Sequence, residues 1–395
     1  MEGNTLMKDQ SERNIYLTLL GAAHSLNHSL FLITPPLLSL LMTSLGVTKF
    51  EIGFASTFAS MIYGAGALLA GPLGDRIGEE KAIVVCLAMS GLPSLLMFLA
   101  GSLNGFLVYT TTLAFMAFWA SLYHPIANSL ISKAFTISVA KAMGYHGLAG
   151  TLGIILTPTI AWFLGTSFGW PSPFAFFGVL TVLLAIMFAK KAKRIEDVNH
   201  TYTKISDILR IRGLRTVLVF NSAIGLFMKG VELFFPTYLK DNRGIEPVWA
   251  SIAFTLMLAT GAVGQWIGGK AASEVGSKKV VIVTMAGVCA SLLSLLFIPT
   301  YSIGLFVFIV AYGVSSYGQQ PALTTLTGYL TPYDQRGAVF SVYFFLSFGV
   351  GSISQLITGY VADAYGLEVA FYLLTALAVV ALVLSFRLPR EPEPK

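Results

Sequence analysis

Charge is scarce in this chain. Of its 395 residues only 11% are Asp, Glu, Lys or Arg, against 55% hydrophobic and 13% aromatic. A water-soluble domain carries roughly 25% charged residues. No soluble core absorbs such a composition, and the mean hydropathy of +0.75 makes lipid the solvent for most of the chain. Cysteine is nearly missing too: Cys86 and Cys289 are the only two, both in hydrophobic stretches, which excludes a disulfide framework. There is no Gly-x-x-x-x-Gly-Lys-Ser/Thr run and no polar stretch large enough for an ATPase, so ATP-driven work by this chain alone is excluded. A His-Glu-x-x-His string is likewise lacking. The first hydrophobic stretch is too long for a signal-peptide core and has no small-residue cleavage site, so it is expected to remain as a span.

What fills the chain is apolar helix. At about 20 residues per span there is room for roughly twelve, beginning near Ile15, Ile52, Ala82, Phe106, Ala142 and Pro173, then near Thr216, Val248, Val280, Ile303, Gly337 and Val369. The longest polar stretch, Lys190 to Arg215, separates the sixth from the seventh. The expected organisation is therefore a first six-helix bundle over 1–189, a linker over 190–215, and a second bundle over 216–395.

The net charge of +6 is distributed by side of the membrane. With the N-terminus inside, Lys8, Arg13, Arg76, Lys81, Lys133, Lys141, Lys270, Lys278, Lys279 and Arg336 are cytoplasmic. The basic residues of the central linker join them, as do Arg387, Arg390 and Lys395, leaving only Lys49, Lys240 and Arg243 outside. That asymmetry follows the positive-inside rule and puts both termini in the cytoplasm. It also explains the basic charge without a nucleic-acid partner.

The halves repeat. Gly71-Pro72-Leu73-Gly74-Asp75-Arg76-Ile77-Gly78 sits between the second and third spans, and a diverged copy, Gly269-Lys270-Ala271-Ala272-Ser273-Glu274-Val275-Gly276, sits between the eighth and ninth. Tyr123-His124-Pro125 late in the fourth span corresponds to Gln319-Gln320-Pro321 late in the tenth. A tandem duplication inside a membrane is a layout of secondary transporters, whose solute sites lie where repeats meet.

The Gly71 to Lys81 run, placed between two spans, resembles the loop signature of the major facilitator superfamily, and the likeness covers almost the whole chain. A narrower resemblance, to its fosmidomycin-resistance-like branch, rests on His24-x-x-Asn27, Pro35-Pro36 and Tyr123-His124-Pro125. The chain departs from that branch at His28, where Asp is usual, and at Thr157-Pro158, where proton antiporters carry Gly-Pro. The resemblance implies an all-α polytopic membrane protein of twelve transmembrane helices in two pseudo-symmetric bundles. It further implies that Asp75 holds a cytoplasmic gate shut, with Gly71, Gly74 and Gly78 permitting a tight turn and close approach, and Arg76 beside it. The copy has Ser273 and Glu274 there, so that gate is expected to be asymmetric.

Polar residues inside the spans are the candidate site, because lipid tolerates them only against a cavity or a partner. His24, Asn27, His28, Phe31 and Pro35 share one helical stripe. The imidazoles suit solute binding or proton relay; the rival reading is interhelical hydrogen bonding that tightens the bundle. His24 and His28 with His124 or His146 would also suit a metal, but no carboxylate or Cys neighbours them along the chain, and no metal is assigned. Lys229 and Glu232, three residues apart, form the one opposite-charge pair deep in a span, and read either as a self-neutralising pair or as a proton-switched one that frees Lys229 for an anionic solute. Tyr312, Ser315, Ser316, Gln319 and Gln320 make a neutral polar stripe in the tenth span, with Gln265 and Gln355 of the same type. Trp119 and Tyr123 either stack on a ring-bearing solute or pack. Gly147, Gly150 and Gly153 with His146 offer a small-residue face for close packing or for sliding.

The expectation is a monomeric secondary transporter of the plasma membrane, not an enzyme, with no cofactor. It moves a small organic solute coupled to protons, with efflux the leading direction by resemblance. Solute contacts fall to His24, Asn27, His28, His124, Lys229, Gln319 and Gln320, and proton coupling to Glu232, His24 and His28. Two alternatives stand beside it: uptake of an organic anion, favoured by Lys229, and a transport-inactive receptor or sensor with the same fold.

Overall fold

The computed structural model describes residues 10–101, 105–135, 139–191, 205–298, 303–332 and 335–390, and for residues 10, 71, 72, 75, 101, 140, 205 and 206 the backbone alone. All regular structure among the described residues is helical. In the first half these are α1 (Gln10–Leu32), α2 (Thr34–Leu45), α3 (Lys49–Ala67), α4 (Ala70–Ile77) and α5 (Glu79–Gly91). A 3-10 stretch over Leu92–Gly101 continues α5, followed by α6 (Gly105–Ser121), α7 (Tyr123–Ala134), α8 (Val139–Phe168) and α9 (Ser172–Lys191). The second half holds α10 (Ile205–Ile208), α11 (Leu214–Arg243), α12 (Pro247–Val275), α13 (Ser277–Phe297), α14 (Ile303–Leu330) and α15 (Arg336–Phe344). A π-helical turn over Phe345–Val350 then leads to α16 (Ile353–Tyr365) and α17 (Leu367–Ser385).

Each expected span falls on helix, and among the described residues ten of them are long and apolar enough to cross a membrane. The second span, α3 with α4, and the tenth, α14, fall outside that set. For α14 the reason is visible: Ser315, Ser316, Gln319 and Gln320 dilute an otherwise apolar helix. Proline explains several local breaks. Pro35 and Pro36, which have no N–H to donate, open α2 after the bend at Ile33, and Pro125 lies in the first turn of α7.

The repeated glycine runs show one backbone device twice. Gly78 stands between α4 and α5 at φ 86° and ψ 140°, and Gly276 between α12 and α13 at φ 91° and ψ 142°. That left-handed conformation strains any residue with a Cβ, so glycine ends one helix and starts the next at the same place in both halves. The turn expected from three glycines sits at Gly78 alone. Gly71 and Gly74 lie inside α4, continuous helix being the stabler backbone there, and a Cβ at Gly74 would stand 3.3 Å from the Glu79 side chain.

The chain forms two compact units. One comprises Met1–Leu40 with Phe58–His200, the other Leu41–Thr57 with Thr201–Lys395. In the first unit, Tyr16, Leu20 and Ala23 of α1 pack with Ile83 and Cys86 of α5, Tyr123 and Ile126 of α7, and Phe188 of α9. In the second, α11 is the most enclosed of the ten candidate spans. Its Phe235 meets Phe308 of α14, and its Tyr238 stacks on Phe371 of α17 at 4.2 Å between ring centroids.

Candidate functional site

In the first unit the fold gathers four of the five histidines. His24 and His28, one turn apart on α1, bring their Nε2 atoms within 3.0 Å. His124 of α7 meets His24 edge-on at 4.9 Å between ring centroids and His28 at 5.3 Å. One ring nitrogen from each of His24, His28 and His124 lies within 4.8 Å of the others. His146 of α8 stacks on His24 at 4.2 Å, and its backbone carbonyl accepts from His24 Nδ1 at 2.8 Å. His146 itself is buried and neither ring nitrogen has a partner.

Close approach of α1 and α8 makes this possible. A Cβ at Gly150 would stand 2.5 Å from the His24 ring, and one at Gly153 would stand 2.2 Å from the Ser25 carbonyl oxygen. Thr157 Oγ1 adds a 2.7 Å hydrogen bond to Ser29 Oγ. Gly147, expected on the same face, borders open space and has no part in the contact. Asn27 points elsewhere along the stripe: its amide donates to the Ala120 carbonyl of α6 at 2.8 Å, which ties two helices together. Tyr123 donates its hydroxyl to the Leu20 carbonyl and is fully buried, so it packs and does not stand ready to stack on a solute.

The second unit centres on Glu232 of α11. Lys229 Nζ donates to Glu232 Oε2 at 2.7 Å, and Tyr317 of α14 donates its hydroxyl to Oε1 at 2.7 Å. Both carboxylate oxygens are therefore occupied, one by a cation and one by a neutral donor, on a residue only 9% exposed. Lys229 also lies over the Phe348 ring at 4.9 Å, a cation–π contact from the π-helical turn. Gln320 pairs with Gln265 of α12 at 3.3 Å. Gln319 is fully buried, donates to the Ser316 carbonyl at 3.2 Å, and keeps its Oε1 without a partner, as does Gln355.

Sequence patterns missed three participants, Tyr317 and the ion pair of Lys133 with Glu79. Tyr317 lies off the polar stripe chosen in its helix, and nothing along the chain pairs it with Glu232. The sequence singles out His146 for its ring, but it also serves through its backbone carbonyl, which no residue type announces. Near the repeated glycine run, Lys133 of α7 bonds Glu79 of α5 at 2.9 Å, both side chains largely buried. That ion pair fixes the start of α5 just beyond Gly78. The Asp75 side chain lies outside the described residues, while Arg76 is exposed.

Comparison with known proteins decides the family. The Major Facilitator Superfamily model matches residues 17–355 and, again, 217–395. The chain belongs to the major facilitator superfamily. Among its relatives, the fosmidomycin resistance protein of Escherichia coli (strain K12) is 24% identical, over 93% of this chain and 92% of that one. A probable L-galactonate transporter of the same organism is 25% identical over 81% and 76%. Among solved structures, a bacterial homologue of the human lysosomal transporter Spinster, inward-facing and unoccupied, superposes with a TM-score of 0.82. It covers 96% of this chain and 97% of its own, at 14% identity. The likeness in structure carries the fold. The family makes this a multi-pass membrane protein and a secondary transporter of small solutes.

Proposed function

We propose that this transporter couples movement of a small organic solute to protons, exporting it across the plasma membrane by alternating access, as a monomer with both termini in the cytoplasm. The observation that carries the reading is the Glu232 carboxylate, held by Lys229 and Tyr317 inside a transmembrane helix. Ionised, it neutralises Lys229; protonated, it releases an ammonium that needs a new anion. Proton binding and solute binding then alternate at one place, the minimal requirement for coupling. The imidazoles of the first unit, with Gln319 and Gln320 of the second, are the proposed solute contacts. Asp75 and Arg76, with Gly71, Gly74 and Gly78, are the proposed cytoplasmic gate. Likeness to the fosmidomycin resistance protein supports export.

Uptake of an organic anion is the second reading. Lys229 favours it, and so does the likeness to a probable L-galactonate transporter. One experiment separates these readings. Purified protein in liposomes with a trapped pH dye is challenged with sugar acids, other organic anions and hydrophobic drugs, beside Glu232→Gln. Solute-triggered proton movement that the variant loses is expected, and its sign distinguishes exchange from co-transport. Solute flux without proton movement would return Lys229 and Glu232 to a purely structural pair.

A further inference from the structure

From the three converging imidazoles of the first unit we infer a binding site for a divalent transition-metal ion, formed by His24, His28 and His124. The hydrogen bonding fixes which nitrogen faces the site. The His146 carbonyl can only accept, so His24 Nδ1 carries the proton in the 2.8 Å contact. In a neutral ring that leaves the His24 Nε2 lone pair aimed at His28 Nε2, 3.0 Å away. A proton between these two nitrogens occupies the position a metal would take. Metal-bound imidazoles commonly donate their other N–H to a backbone carbonyl, which fixes tautomer and ring orientation; His24 already does.

The spacing suits a small ion. Bonds of about 2.0–2.1 Å in tetrahedral geometry put ligand nitrogens roughly 3.4 Å apart. The first pair stands at 3.0 Å, and all three nitrogens lie within 4.8 Å. Rotation of the His124 ring, on a different helix, closes the remainder. All three side chains are half-buried, so an ion can reach them. The ligand chemistry sets the class: neutral imidazoles without thiolates suit Zn²⁺, Co²⁺, Ni²⁺ or Cu²⁺, while Mg²⁺ and Ca²⁺ want oxygen. Three ligands leave a fourth position for water or an anion. Neutral ligands do not cancel the ion's two charges, so an anion is favoured there. Packing alone accounts less well for the arrangement, since stacked aromatic rings would serve as packing without basic nitrogens turned toward a common point.

This site uses only residues of the first unit and stands independently of proton coupling at Glu232. The test uses the full chain in detergent, purified through a tag without histidine. Co²⁺ is titrated while visible absorption is recorded, and Zn²⁺ retention is measured by equilibrium dialysis. The expected result is one ion per chain with the intense visible bands of tetrahedral Co²⁺. His28→Gln and His124→Gln should each abolish the bands, while His200→Gln, at the fifth histidine, should keep them. Zinc-edge X-ray absorption of the unaltered protein provides a check that needs no variant to fold, and imidazole scattering from three nitrogens is expected. Failure of the unaltered protein to retain either ion, an all-oxygen shell, or bands that survive both substitutions would overturn the site.

Discussion

Glu232 shows what a single carboxylate must have to live inside a membrane helix. A charge at mid-span costs at least about 2.5–3.5 kcal/mol on insertion scales, and here two donors from two helices offset it. The consequence is asymmetric. Lys229→Met should destabilise the protein by about 3–5 kcal/mol, because it strands a buried carboxylate. Lys229→Met with Glu232→Gln should cost much less, since no charge is left unpaired. Thermal unfolding in detergent measures both; equal losses would mean that the two residues do not neutralise each other. Tyr317→Phe removes only the neutral donor, and a loss of about 1.5–3 kcal/mol is expected on the same scale for a hydrogen bond to a charged group.

Elements meet where side chains are small. The approach of α8 to α1 depends on Gly150 and Gly153, and the two positions differ in what lies opposite. A methyl at Gly153 would strike the Ser25 backbone, which cannot rotate away. Gly153→Ala should therefore cost about 1–3 kcal/mol through overpacking. Gly147→Ala, facing open space, should be neutral or stabilising by up to about 1 kcal/mol, because alanine is the better helix former. Comparison of the two unfolding temperatures checks the assignment, and a milder effect at Gly153 would contradict the packing. A small-residue face was legible along the chain because three glycines recur every third residue. Which of them touches was not legible, since that depends on where α1 lies. The same limit applies to His124 and Tyr317: periodicity orders residues around their own helix, whereas contact with a neighbour is set by packing. Lys229 and Glu232 were legible because both partners lie on one helix.

At the scale of the whole molecule, the composition and the repeated glycine runs were enough to anticipate a helical membrane protein built twice. The physical reason is that lipid leaves few alternatives: backbone polar groups must be satisfied within each span. The proposed orientation has its own test. Single cysteines replacing Arg76, Lys278 and Lys240 can be probed with a membrane-impermeant thiol reagent in intact cells; the native Cys86 and Cys289 are buried and free. Lys240→Cys should label from outside, and the other two only after permeabilisation. The reverse pattern would invert the topology.

The π-helical turn at Phe345–Val350 carries a further implication for how this chain is aligned with its kin. A π turn accommodates one residue more than the helix around it needs. Upstream and downstream of it, α15 and α16 keep their own faces, so the surplus residue is taken up locally and not passed along. Gapless alignment of this span with its counterpart in the first half would therefore slip by one position beyond Phe345. Any matching of residues across the two repeats near Gln355 must count that residue out.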